Sequence, residues 1–151
     1  IQWDVVILTA MVMPLVGILT ADITGIKPFL LKMLSPVFGG HGMVVFCIMV
    51  ALMAIIITNL CNNGVTGVIF ITITYGFAVE MGISTAALAL LIIFCVHLAL
   101  LTPAASPMAA MLHGNKEWIT AAQVYRYGII AVLLTGVLLI LVGLPLAGVL
   151  F

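Results

Sequence analysis

The eight charged residues of this chain, Asp4, Asp22, Lys27, Lys32, Glu80, Lys116, Glu117 and Arg126, all fall outside its long apolar runs. An ion at mid-bilayer costs roughly 2.5–3.5 kcal/mol or more, so in an apolar chain the charges mark the turns. Composition makes the bilayer the relevant solvent. With 66% hydrophobic and 5% charged residues and a mean hydropathy of +1.51, the chain has more apolar surface than a soluble domain of this size can hide. An all-α, multi-pass integral membrane protein is therefore expected, in a cell (plasma or inner) membrane. Net charge is zero, so nothing points to nucleic acid. The chain opens at Ile1 with no Met, basic segment or cleavage site before its first apolar run, which reads as one half of a longer chain. Cys47, Cys61 and Cys95 are isolated within apolar sequence and read as free thiols packed as small hydrophobes.

The runs between the charges are unequal. Residues 5–21, about 17 in number, just suffice for a span, with Trp3 as interfacial anchor, and residues 127–151 make a final span behind Trp118, Tyr125 and Tyr127. Segment 24–38 mixes Lys27 and Lys32 with Phe29, Leu30, Leu31, Met33 and Leu34, and Pro28 suits a first helical turn. It reads as an amphipathic helix along the interface, the alternative being a mobile loop. EWITAAQVYRYG, before the final span, reads as a shorter version of the same device.

Residues 43–79 form two apolar arms around the polar stretch TNLCNNGVTG at 58–67. Each arm counts about 15 residues, roughly 22 Å as helix against about 30 Å of hydrocarbon. Half-length arms around an Asn/Gly tip predict a re-entrant hairpin; an aqueous loop between two short crossings is the alternative. The next run, 84–112, is broken at 102–107 by TPAASP, whose two prolines each remove a backbone donor. A plain proline kink is the alternative there. Irregular backbone at membrane depth must be buried in protein or line a watery cavity, and broken helices turn dipole ends and free carbonyls toward ions. Together the two interruptions predict a binding site. It comprises Thr58, Asn59, Asn62, Asn63, Gly64 and Thr66 from the tip, with Ala104, Ala105, Ser106 and Pro107 from the break. Amides, hydroxyls and freed backbone would be its ligands.

The order of span, interfacial helix, hairpin, proline-broken helix and final span resembles the C-terminal half of the divalent-anion:sodium symporter family. That family lies within the wider ion-transporter superfamily that includes citrate-transporter-like permeases. QWDVVILTAMVMPLVGILTADITGIKPFL resembles the family's PWDVVLL…G…L…TG helix. At the tip, Asn62, Asn63 and Gly64 stand where the family carries Ser-Asn-Thr, and Thr66 matches a Thr just beyond. LTPAASPMAAMLHG resembles the family's Leu-Pro-Val-Ala-Thr-Pro-Pro-Asn-Ala segment: Pro103, Ala105 and Pro107 match, Ser106 replaces Thr and Ala109 replaces Asn. The resemblance implies an elevator-type exchanger of two inverted repeats, this chain being the second. The partner would be an N-terminal half on the same or a longer chain, and a homodimer is expected. Tip and break would hold one coupling Na⁺ and half of a di- or tricarboxylate. The departures remove two hydroxyl ligands, since Asn62 offers an amide oxygen and Gly64 only backbone.

His97 lies in the apolar run before the break, where it either bonds to a neighbouring helix or couples transport to protons, making H⁺ the alternative to Na⁺. His41 and His113 read as interfacial, and Glu80 as a solvated turn charge. No HExxH, Gly-x-Ser-x-Gly or phosphate loop with Lys is present, and His and Cys lack ligand spacing, so neither an enzyme nor a transition-metal site is expected. No resident cofactor is expected either. Positive-inside counting ties, with Lys27 and Lys32 against Lys116 and Arg126. A cation/proton antiporter or non-carboxylate permease on the same scaffold is the second reading, and a non-transporting membrane subunit the third.

Overall fold

Among the described residues the chain is all helix and turn, with no strand. The computed structural model describes residues 21–38, 40, 42–143 and 145–146, together with 3, 6, 7, 10, 11, 14, 17 and 18. The expected span at 5–21 thus lies mostly outside the described residues, as do His41 and most of 144–151.

Helix α1, Ile26–Phe38, follows Gly25, whose φ of 66° turns the chain into it. Phe29, Met33 and Val37 recur every four residues along it, and all three are exposed. Helices α2 (Met43–Leu60) and α3 (Asn63–Glu80) are each 18 residues long and joined by Cys61 and Asn62 alone. The ring of Phe46, near the start of α2, lies 6.3 Å from that of Phe77 near the end of α3, so the two run antiparallel. At 1.5 Å per residue each arm is about 27 Å long, not 22 Å. The extra turn arises because Thr58, Asn59, Asn63 and Gly64, counted from sequence as tip, are helical. The side chains of Thr58 and Asn59 find partners without leaving the helix.

The turn from α3 into α4 (Thr85–Val96) is a Schellman closure. Gly82, at φ 67°, occupies the left-handed position that side chains avoid. The Ile83 N–H reaches back to the Ala78 carbonyl at 2.8 Å and the Gly82 N–H to that of Val79 at 3.2 Å. Ser84 then caps α4, its hydroxyl accepting from the Ala87 N–H. Helices α2, α3 and α4 enclose the main core, built from Phe46, Val50, Ala54, Phe70, Ile73, Leu91, Ile92 and neighbours.

After α4 the chain is non-helical from His97 to Ser106, then forms the eight-residue α5, Pro107–Gly114. Helix α6, Ala121–Leu138, continues as a π-helical turn over Leu139–Gly143. It begins with a capping box, Thr120 and Gln123 each bonding the other's backbone. EWITAAQVYRYG therefore supplies the end of the turn at 116–118 and the first turns of α6, not a separate surface helix. Helix α6 docks through one narrow seam, Val124, Gly128, Val132 and Gly136, spaced four apart. Val124, Val132 and Gly136 are buried. A Cβ added at Gly136 would lie 3.3 Å from Ile55 Cδ1 of α2, and one at Gly128 would lie 3.0 Å from Leu101 Cδ2. Lacking side chains, these glycines let α6 approach both α2 and the break closely. The opposite face, including Ile130, Leu133, Leu134 and Val137, is exposed. Two described helices are long and apolar enough to cross a membrane: α2, and α6 with its π-helical extension.

Candidate functional site

The interruption after α4 begins at His97, five residues ahead of the TPAASP prediction. Proline explains only its later part. Pro103 has no N–H, so the Ala99 carbonyl four residues back loses its helical donor. The Ser106 hydroxyl replaces it, donating to the Ala99 carbonyl at 2.7 Å, and the same oxygen caps α5 by accepting from the Ala109 N–H at 3.1 Å. Pro107, the first residue of α5, sits where a missing N–H costs nothing.

Asn59 holds the earlier part. This side chain, 95% buried, donates through Nδ2 to the Ile55 carbonyl at 2.8 Å and the Leu98 carbonyl at 2.9 Å. Its Oδ1 accepts from the Leu100 N–H at 3.0 Å and the Leu101 N–H at 2.9 Å. Two donors and two lone pairs are all that an asparagine has, and all four are used. The contacts dictate which end of the amide is oxygen, because carbonyls only accept and N–H groups only donate. Thr102 Oγ1 donates to the Asn59 carbonyl at 2.7 Å, and Thr58 Oγ1, fully buried, to the Val96 carbonyl at 2.9 Å. The tip and the break thus form one hydrogen-bonded junction.

On its other side the Asn63 N–H donates to the Ala105 carbonyl at 2.8 Å. That bond sets the N-terminus of α3 against the residue before Ser106, the cap of α5. Two positive dipole ends therefore adjoin at Asn63 and Ser106, while the C-terminal ends of α2 and α4 meet through Thr58 and Val96. No charged residue occurs in 58–67 or 97–107, so these dipoles are the main local fields.

The ten predicted site residues differ in what they can still offer. Asn59, Thr58 and Ser106 are engaged as described, and Thr66, 2% exposed, donates to the Asn62 carbonyl at 2.9 Å. Asn62 Oδ1 caps α3 by accepting from the Gly64 N–H at 2.9 Å and the Val65 N–H at 3.4 Å, and Asn63 Oδ1 shares that Gly64 N–H. Among the described residues the Nδ2 groups of Asn62 and Asn63 have no partner. Gly64 and Ala104 are exposed, Pro107 is half-buried and Ala105 is buried.

Sequence reasoning missed two members of the junction. Thr102 is one; its place just before Pro103, where the helical conformation is disfavoured, was the available signal. His113 is the other. Its Nε2 lies 3.1 Å from the Leu101 carbonyl, so that nitrogen carries the proton, and its ring meets Tyr125 of α6 edge-on with centroids 5.3 Å apart. It ties break, α5 and α6 together, a role with no local sequence signature. His97 caps α4, exposed, with Nδ1 donating to the Ile93 carbonyl of its own helix at 2.7 Å. Its Nε2 is thereby left to the surroundings of the chain rather than to the junction.

An open groove of about 490 Å³ lies elsewhere, lined by Met108, Met111, Leu112, Asn115, Trp118 and Ile119. Its lining is nearly all apolar and could not orient a polar ligand. No group of three or more His, Cys, Asp or Glu is placed to hold a metal among the described residues. Compared with known proteins, the chain matches no family model, no curated protein and no solved structure.

Proposed function

We propose that this chain is one half of an ion-coupled secondary transporter for an anion, with the tip of the α2–α3 hairpin and the broken α4–α5 segment forming its half of the site. In this reading α1 lies at the interface, and the other half-site comes from a second, related half. One observation carries the reading: the contact from Asn63 to Ala105, which sets two helix N-termini against each other at a junction otherwise free of charge. Such ends favour an anion. The unpartnered Nδ2 groups of Asn62 and Asn63 beside them are donors of the kind a carboxylate accepts. The exposed stripe Phe29–Met33–Val37 supports interfacial placement of α1. Uptake into vesicles by the complete transporter tests the site. Asn63→Ala combined with Ser106→Ala is expected to lower uptake at least tenfold, and uptake at the wild-type rate would exclude the junction.

A second reading, a membrane subunit whose interruptions serve only packing, draws support from one fact. The hydroxyls of Thr58, Thr66 and Ser106 and the whole amide of Asn59 are consumed by the chain's own backbone. Cys61 separates the two readings without an engineered probe, because it is exposed at the tip while Cys47 and Cys95 are buried. A transport cavity predicts that a small, charged, water-soluble thiol reagent labels Cys61, that substrate slows the labelling, and that Cys61→Ser abolishes it. Labelling that proceeds only with lipid-soluble reagents would favour the packing subunit.

A further inference from the structure

The C-terminal ends of α2 and α4 meet at the junction, and the last carbonyls of a helix are the groups that attract a cation. Here three carbonyl oxygens at that meeting point already accept from side chains. The Val96 carbonyl accepts from Thr58 Oγ1, the Leu98 carbonyl from Asn59 Nδ2, and the Asn59 carbonyl from Thr102 Oγ1. The Nδ2 of Asn59 also touches the Ile55 carbonyl at 2.8 Å, so one amide nitrogen lies between two carbonyl oxygens with its two protons directed at them. A bound alkali cation does the same work, gathering carbonyl oxygens of two chain segments around a positive centre.

We infer that the Asn59 amide, with the hydroxyls of Thr58 and Thr102, is a built-in substitute for a cation at the C-terminal side of the junction, which therefore binds no alkali ion. Admitting Na⁺ would require breaking several buried hydrogen bonds, and the displaced N–H and O–H groups would face the ion. Burial of Asn59 to 5% exposure and of Thr58 to 0% leaves no water to re-pair them. The inference bears on the transport reading by placing any coupling ion away from the C-terminal side of this junction, yet its test requires no transport.

The purified full chain is melted in detergent across 0–200 mM NaCl, with choline chloride holding ionic strength constant. The wild type should keep its melting temperature within about 1 °C, since a ligand that does not bind the folded state cannot stabilise it. Asn59→Asp at pH 9 places a carboxylate oxygen between the same two carbonyls, creating an oxygen cluster with no donor. It should gain several degrees with saturable dependence on Na⁺ and none with choline. A saturable Na⁺-dependent rise in the wild type overturns the inference, as does a folded Asn59→Asp indifferent to Na⁺. Should that variant fail to fold, the wild-type titration alone decides. A failed uptake assay would count against transport and leave these melting curves unaffected.

Discussion

Asn59→Leu should destabilise the protein by about 3–6 kcal/mol, the largest single effect expected of any substitution in the junction. The replacement is nearly isosteric, so the loss is one of hydrogen bonding rather than volume. It strands the Leu98 carbonyl and the Leu100 and Leu101 N–H groups, which lie in a half-buried segment and have no helical partners. Each stranded backbone group costs about 1–3 kcal/mol. Against a typical total of about 5–15 kcal/mol, the variant should sit at the edge of folding. Thermal unfolding in detergent measures this, and a loss below about 1 kcal/mol would mean that water or a shifted backbone re-satisfies the break.

Ser106→Ala should cost about 1.5–3 kcal/mol, because it strips two partners at once. The Ala99 carbonyl loses the donor that replaces Pro103's missing N–H, and α5 loses its cap. Ser106→Thr keeps the hydroxyl and should recover most of the loss. Thr66→Val is the contrasting control. Its hydroxyl bonds the Asn62 carbonyl, which the Thr66 N–H already reaches at 3.0 Å, so its removal should cost under about 1 kcal/mol. Equal losses at Ser106 and Thr66 in the same unfolding assay would show that the break is not held by this hydroxyl.

The two interruptions were legible because Asn, Gly and Pro act through their immediate neighbours. Pro103 and Pro107 locate the end of the break, and Ser106 before Pro107 is a recognisable helix start. Its beginning was not legible. Residues 98–101 read Leu-Ala-Leu-Leu, good helix sequence, and are held out of the helix by Asn59, some forty residues earlier. The same tertiary contact explains the error in arm length. Thr58 and Asn59 look like loop residues because their side chains compete with helical backbone; here they remain helical because they satisfy the backbone of a different segment. The start of α6 was legible and missed, since Thr120-Ala-Ala-Gln123 is a capping-box sequence ahead of an apolar run. Nothing near His113 betrays its reach to Leu101.

The partners that Thr58 and Asn59 find outside their own helix all come later in the chain. Val96, Leu98, Leu100, Leu101 and Thr102 lie 38, 39, 41, 42 and 43 residues after the groups of Thr58 and Asn59 that they pair with. A ribosome adding about 5–20 residues per second delivers them roughly 2–9 s after the tip itself. Through that interval α2 and α3 can form, but Thr58 and Asn59 have only their own helix to bond, and an apolar surrounding would penalise them. Until the next segment arrives, only water or their own helix can satisfy these groups. A chain stopped after residue 95 would hold α2 and α3 complete and lack every later residue to which Thr58 and Asn59 bond.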